Sequence, residues 1–169
     1  FHLVDRIQSI EPGKRIVGIK ALSLAEEYLA DHFPAFPVLP GVLMLEALVQ
    51  TAAWLVRVQQ NFGRSIIVLK AARNVRYASF VAPGDTLRSE LEAVEITDTG
   101  AKFKANGYVG DRQTVSARIE LACFNLADRA AYLAAADAQI IHKLRAQFEL
   151  VHGPAALAAA GGGAGAPLG

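Results

Sequence analysis

Polar and apolar residues alternate most regularly near residues 114–124. There Val115, Ala117, Ile119, Leu121 and Cys123 interleave with Thr114, Ser116, Arg118, Glu120 and Ala122. A period of two marks an antiparallel strand with one buried face. Further runs at 66–69, 74–80, 86–96 and 101–109 read as strands. They are separated by the turn signals Ala82-Pro83-Gly84-Asp85, Thr97-Asp98-Thr99-Gly100 and Gly110-Asp111-Arg112. Glu11-Pro12-Gly13 followed by 15–22 predicts an earlier hairpin. Short turns between successive strands make an antiparallel meander.

The period changes at residue 42. From Val42 to about Phe62 the chain is apolar round most of a helical circumference, which predicts a helix buried on all sides. Ser23-Leu24-Ala25-Glu26 has the spacing of a capping box, so a short helix is expected to run to about Ala30. Between the two lies a stretch stiffened by Pro34, Pro37 and Pro40. A sheet wrapped round one long apolar helix is an α+β architecture. Residues 1–125 make up this body. Residues 126–152 are expected to add an alanine-rich helix from Asp128 to about Leu150, and the Ala/Gly-rich 153–169 a flexible tail. Gly161 to Ala166 nominally fits G-x-G-x-x-A, but no strand precedes it, so it is not read as a dinucleotide site.

Composition narrows the function classes. Hydrophobic residues make up 53% of the 169, enough to build a core in one domain. Seventeen Lys+Arg against sixteen Asp+Glu leave a net charge of +1, without the basic excess of a nucleic-acid binder. Cys123 is the only cysteine, which excludes an internal disulfide and suits a reducing, cytoplasmic setting. His2, His32, His142 and His152 lack metal-site spacing, so no metal is expected. The apolar segment 42–58 is near the lower limit for a membrane span, but Glu46, Gln50 and Arg57 argue for a core helix. The sequence opens at Phe1 without a methionine, and further residues are expected ahead of it.

Three positions could carry chemistry. Glu46 lies one turn into the apolar helix, with Gln50 four residues on along the same face. A carboxyl group in a half-dry pocket can hold and donate a proton near neutral pH. Alternatively, Glu46 pairs with an arginine or with Gln50 and only orients the helix; the sequence leaves both readings open. His32, at the start of the proline-stiffened loop, can act as a general base or be a plain capping histidine. Gly41, after Pro40, exposes the unpaired N–H groups of a helix start to a substrate carbonyl. Lys70, Arg73, Arg76 and Arg88 form a loose basic group, which would suit an acidic partner or be solvated charge.

The run His32-Phe33-Pro34-x-x-Pro37-Val38-x-Pro40-Gly41-Val42-Leu43-x-x-Glu46-Ala47-x-x-Gln50 resembles the signature of the FabZ family of β-hydroxyacyl-acyl-carrier-protein dehydratases. Glu46 favours that family over the related FabA type, which has aspartate there. Leu3-Val4-Asp5-Arg6 and Val81-Ala82-Pro83-Gly84-Asp85 extend the resemblance over roughly residues 1–125. It implies a hot-dog fold, a homodimer or trimer of dimers, and active sites at the dimer interface. His32 of one protomer would take the C2 proton of a (3R)-3-hydroxyacyl thioester, and Glu46 of the other would protonate the leaving hydroxyl. The Gly41 amide would polarise the thioester carbonyl, with Val42, Phe33, Pro40 and Gln50 around the substrate. No cofactor is implied. The acyl chain would arrive on acyl carrier protein, with Lys70, Arg73 and Arg76 as a docking patch. Three features depart from the family: Asp31 replaces a usual glycine, Ala35-Phe36 places an aromatic in the loop, and a C-terminal extension follows the body. The competing readings are a hot-dog thioesterase and a non-catalytic acyl-binding or assembly subunit.

Overall fold

A computed structural model describes residues 1–162. The order is β1 (Arg6–Glu11), β2 (Arg15–Ala21), α1 (Gly41–Gln59), β3 (Ile66–Tyr77), β4 (Thr86–Ile96), β5 (Gly100–Val109), β6 (Arg112–Phe124), α2 (Ala134–Leu150) and α3 (Gly153–Gly162). The six strands form one antiparallel sheet in the order β1-β2-β4-β5-β6-β3. α1 lies against its concave face. Leu48 and Leu55 of the helix meet Ile16, Leu91, Phe103 and Leu121 of the sheet in a core from which water is excluded. Each such side chain contributes about 1.5–3 kcal/mol on burial. The inward residues of β6 are those that the alternation picked out, from Val115 to Cys123. α1 is long and apolar enough to cross a membrane, yet here it is the core helix of the sheet.

Several expectations are corrected. The runs at 66–69 and 74–80 are one strand, β3, whose register slips between Leu69 and Ala71 and again between Arg73 and Arg76. Those bulges interrupt the period of two and split the pattern. The capping box does not form. The Ser23 hydroxyl accepts from Ala25 N–H, and Glu26 is drawn to the buried Lys20 ammonium at 2.8 Å. Only a 3-10 turn, Glu27–Leu29, results. From Ala47 to Val56 every position of α1 except Gln50 is buried, but Val42 is 70% exposed and Leu43, Leu45 and Glu46 are half-buried. One side of the first turns therefore faces outward.

The extension is more ordered than its composition predicts. Two 3-10 turns, Leu126–Asp128 and Ala131–Leu133, precede α2, which starts at Ala134 instead of 128. Residues 153–162, expected as part of a flexible tail, form α3 against β1; the rest of that tail lies outside the described residues. The Val151 carbonyl accepts from Ile7 N–H of β1 at 2.7 Å, so the extension caps that edge of the sheet. At the other edge, β3 has no strand beside it among the described residues.

One buried carboxylate holds the extension to the body. Asp137 of α2 accepts from the Ser65 hydroxyl, Leu126 N–H and Ala127 N–H. Burial alone would push this carboxyl up, but the three donors outweigh it and hold the group below its ordinary value. A lowered native value means that the contribution is complete above the unfolded value of about 3.9 and is lost as pH falls through the native one. Asp137→Asn should therefore melt below wild type at pH 7, with the deficit shrinking below about pH 3.9 in parallel thermal scans. A deficit independent of pH would contradict this account.

Candidate active site

The segment carrying His32 is tied down from both ends. Before it, Lys20 binds Glu26 at 2.8 Å and Asp5 at 3.4 Å, and Leu29 is buried in the core. Burial and the Glu26 charge beside it push the Tyr28 phenol up to about 12, so it stays protonated. After it, Val38 and Leu39 are buried and Leu39 N–H donates to the Val81 carbonyl at 2.8 Å. The loop between turns sharply: Phe33 sits at φ +47, left-handed for a bulky residue before proline, and Phe36 N–H closes on the Phe33 carbonyl at 2.7 Å. The half-buried His32 ring lies edge-on to Phe33 at 4.5 Å.

α1 begins at Gly41 with Pro40 as its N-cap, and no side chain caps the first turn. The Pro40 carbonyl accepts from Leu43 and Met44, while the Gly41 N–H lies at the open, positive end of the helix. A side chain at Gly41 would meet the Tyr77 ring at 3.1 Å, so glycine keeps the backbone within reach of a ligand. His32, Gly41, Met44, Tyr77 and Phe80 line one concave pocket of about 290 Å³. Phe33 also lines it, whereas Phe36 does not; it packs edge-on against Phe80 at 5.7 Å. The aromatic that departs from the family pattern thus props the wall and does not fill the pocket.

Glu46 is not among the residues of this pocket. Five residues beyond Gly41, it lies about 7 Å further along the helix and is rotated by roughly 140°. Gln50 Nε2 donates to Glu46 Oε1 at 3.0 Å and to the Phe1 carbonyl at 3.2 Å, while Gln50 Oε1 accepts from Leu3 N–H at 2.9 Å. That Leu3 bond fixes which way the amide faces and turns its NH₂ toward the carboxylate. The pairing of Glu46 with Gln50 foreseen as its structural role is therefore present. It leaves Oε2 for other chemistry. Val42, expected near substrate, is largely exposed and does not line the His32 pocket; neither does Pro40.

Of the basic positions, Lys70 is engaged by Glu120 at 2.8 Å and Arg88 by Glu90 at 2.8 Å. Arg73 and Arg76 are exposed on β3. Exposed apolar side chains gather round the His32 pocket: Phe33 (63%), Phe36 (59%), Val42 (70%) and Phe80 (60%). Tyr77, at the end of β3, lines the pocket beside these side chains, and β3 has no strand beside it among the described residues.

Comparison with known proteins identifies the family of the chain. A family model described as a FabA-like domain matches residues 1–118. The 3-hydroxyacyl-acyl-carrier-protein dehydratase FabZ of Desulforamulus reducens is 38% identical over 122 residues, covering 72% of this chain and 86% of that protein. FabZ of Pelotomaculum thermopropionicum is 40% identical over 121 residues, 72% of this chain and 85% of that one. Among solved structures, the dehydratase heterocomplex ApeI:P from Xenorhabdus doucetiae superposes with a TM-score of 0.67 at 13% identity, covering 79% of this chain and 90% of that one. The fluoroacetyl-CoA-specific thioesterase FlK, as its F36A mutant, gives 0.56 at 16% identity, covering 74% and 96%. At such identities these structures establish the shared hot-dog fold. The FabA-like match ends before α2 and α3, which stand outside it.

Proposed function

The chain belongs to the FabA-like family, on its FabZ branch, and from that premise we propose that it dehydrates (3R)-3-hydroxyacyl thioesters held on acyl carrier protein to trans-2-enoyl thioesters. In this reading His32 Nε2 takes the C2 proton. Glu46 of the partner subunit gives a proton to the C3 hydroxyl, which leaves as water. The Gly41 N–H donates to the thioester carbonyl as negative charge builds on it. No cofactor is required for an elimination beside a thioester.

The observation that carries this reading is the division of the groups within one chain. The base and the carbonyl donor share a pocket, while the carboxylate stands half-buried on another side of the same helix. A second copy joined along the free β3 edge, over the exposed apolar patch, would bring the missing acid. A twofold contact of this kind makes two equivalent sites. A base beside a helix-start amide would also serve thioester hydrolysis, by activating water against the same carbonyl. What favours dehydration over that reading is the 38% and 40% identity to the two FabZ relatives. A binding module has no use for the acid.

The test is hydration of an enoyl thioester, followed as loss of its conjugated absorbance. Turnover by wild type, abolished in His32→Ala, is expected; hydrolysis of the thioester without hydration would overturn the proposal. Gln50→Leu probes the setting of the acid. It should lower kcat on the order of tenfold with KM little changed, since one hydrogen bond worth about 1 kcal/mol orients the carboxylate. Steady-state kinetics with a full kcat would show that Gln50 does not orient Glu46.

A further inference from the structure

The loop that joins β3 to β4 forms one wall of the His32 pocket, through Ser79 and Phe80. Its two ends are held by the backbone. Ala78 N–H, just past β3, donates to the Thr114 carbonyl of β6 at 2.8 Å. On the far side the Val81 carbonyl accepts from Leu39 N–H at 2.8 Å, and the Asp85 carbonyl from Leu22 N–H at 3.0 Å. Between these anchors a side chain from β6 holds the loop. Arg112, the first residue of that strand, donates through Nη1 to the Ser79 hydroxyl and to the Phe80 carbonyl, the latter at 2.9 Å. Its Nη2 lies 3.8 Å from Asp85 Oδ2, which accepts from Ala82 N–H at 2.9 Å. One planar fork thus spans the segment 79–85. The Arg112 and Asp85 side chains are 49% and 31% exposed, and ion pairs so open to water add little to stability. What the fork fixes is Phe80. That ring lies outside the hydrophobic core and packs edge-on against the exposed Phe36 at 5.7 Å, so its place depends on where its backbone is held.

We propose that Arg112 is a positioning residue for the substrate pocket: it holds the Phe80 wall where the acyl chain beyond C3 packs, so that binding of longer chains depends on it. The inference rests on the dehydratase reading above, in which His32 and Gly41 engage the reacting end of the thioester. Phe33, Met44, Tyr77 and Phe80 are then left to contact the chain. Each methylene kept from water there adds to binding, and a wall that drifts forfeits such contacts. Arg112 itself does not line the pocket. Its loss should therefore appear in KM and not in kcat.

The experiment follows hydration of crotonyl and octenoyl thioesters of the same thiol by wild type, Arg112→Met, Phe80→Ala and the double variant. For Arg112→Met, KM for octenoyl should rise on the order of fivefold and KM for crotonyl less than about twofold, with kcat held and Tm nearly unchanged. The double variant should match Phe80→Ala alone, because the arginine acts through that ring. Arg112→Lys keeps the charge and loses the fork, so it should bind octenoyl no better than Arg112→Met. An unchanged KM for octenoyl, equal rises for both chains, additive effects in the double variant, full recovery with lysine or a marked fall in Tm would overturn the assignment. Each of these leaves the dehydratase reading intact. If wild type hydrated neither thioester, that reading would fail. Amide hydrogen exchange over residues 79–82 would then decide whether Arg112 holds the wall: faster exchange in Arg112→Met supports it, and unchanged exchange overturns it.

Discussion

Replacing His32 with alanine is expected to slow dehydration by about a hundred- to ten-thousandfold, the usual worth of a positioned general base, while leaving the fold intact. The ring is half-buried in the wall of a pocket, edge-on to the exposed Phe33 and outside the hydrophobic core, so its loss opens no core cavity. Glu46→Gln should lose activity on a similar scale, since the amide keeps the shape and cannot supply the proton. The two variants are most informative together. If base and acid come from different copies, a mixed dimer of the two has one site with both groups intact. An equal mixture that exchanges freely should then recover roughly a quarter of wild-type activity, because half the dimers are mixed and each holds one good site of two. Mixed dimers that stay inactive, with their formation verified by mass spectrometry, would place the pair within a single chain.

The division between copies was implied by the family resemblance and not by the spacing of the residues. The run from His32 to Gln50 marks both groups, but spacing along a chain cannot say whether a loop and a helix face converge. The body was far more legible. β4, β5 and β6 announce themselves because one face of each is buried, and a period of two survives wherever pairing is regular. It failed in β3, where bulges shift the register. Local capping rules failed at Ser23 and Glu26 for a nonlocal reason: Lys20, on the preceding strand, outcompetes the helix for the carboxylate. The Ala/Gly composition of 153–162 says tail by average statistics, yet packing on β1 and against an aromatic from α2 orders it. Gln50 was read as a pairing partner for Glu46 and as a residue near substrate, while its anchoring by Leu3 and Phe1 depends on contacts 47 and 49 residues apart along the chain.

The aromatic is Phe148, and its removal is expected to cost a large share of the stability that the extension contributes. Its ring is 7% exposed and sits 5.6 Å from both Trp54 and Phe62, wedged against the C-terminal end of α1. Gly153, at the start of α3, lies flush against it; any side chain at 153 would run into the Phe148 ring. The pair therefore works as a notch that turns the chain from α2 into α3 and sets α3 on β1. Phe148→Ala should cost about 3–5 kcal/mol, the range for emptying a buried aromatic site, and lower Tm on the order of 10 °C for a chain of this length. Gly153→Val should do comparable damage by forcing the ring out. Both sites lie at the end of α1 remote from Gly41 and His32, so kcat/KM below the new Tm should stay near wild type. Differential scanning calorimetry alongside enoyl hydration separates the outcomes. An unchanged Tm would mean that α2 and α3 add nothing to the fold. A normal Tm with lost activity would mean instead that the extension acts on the site.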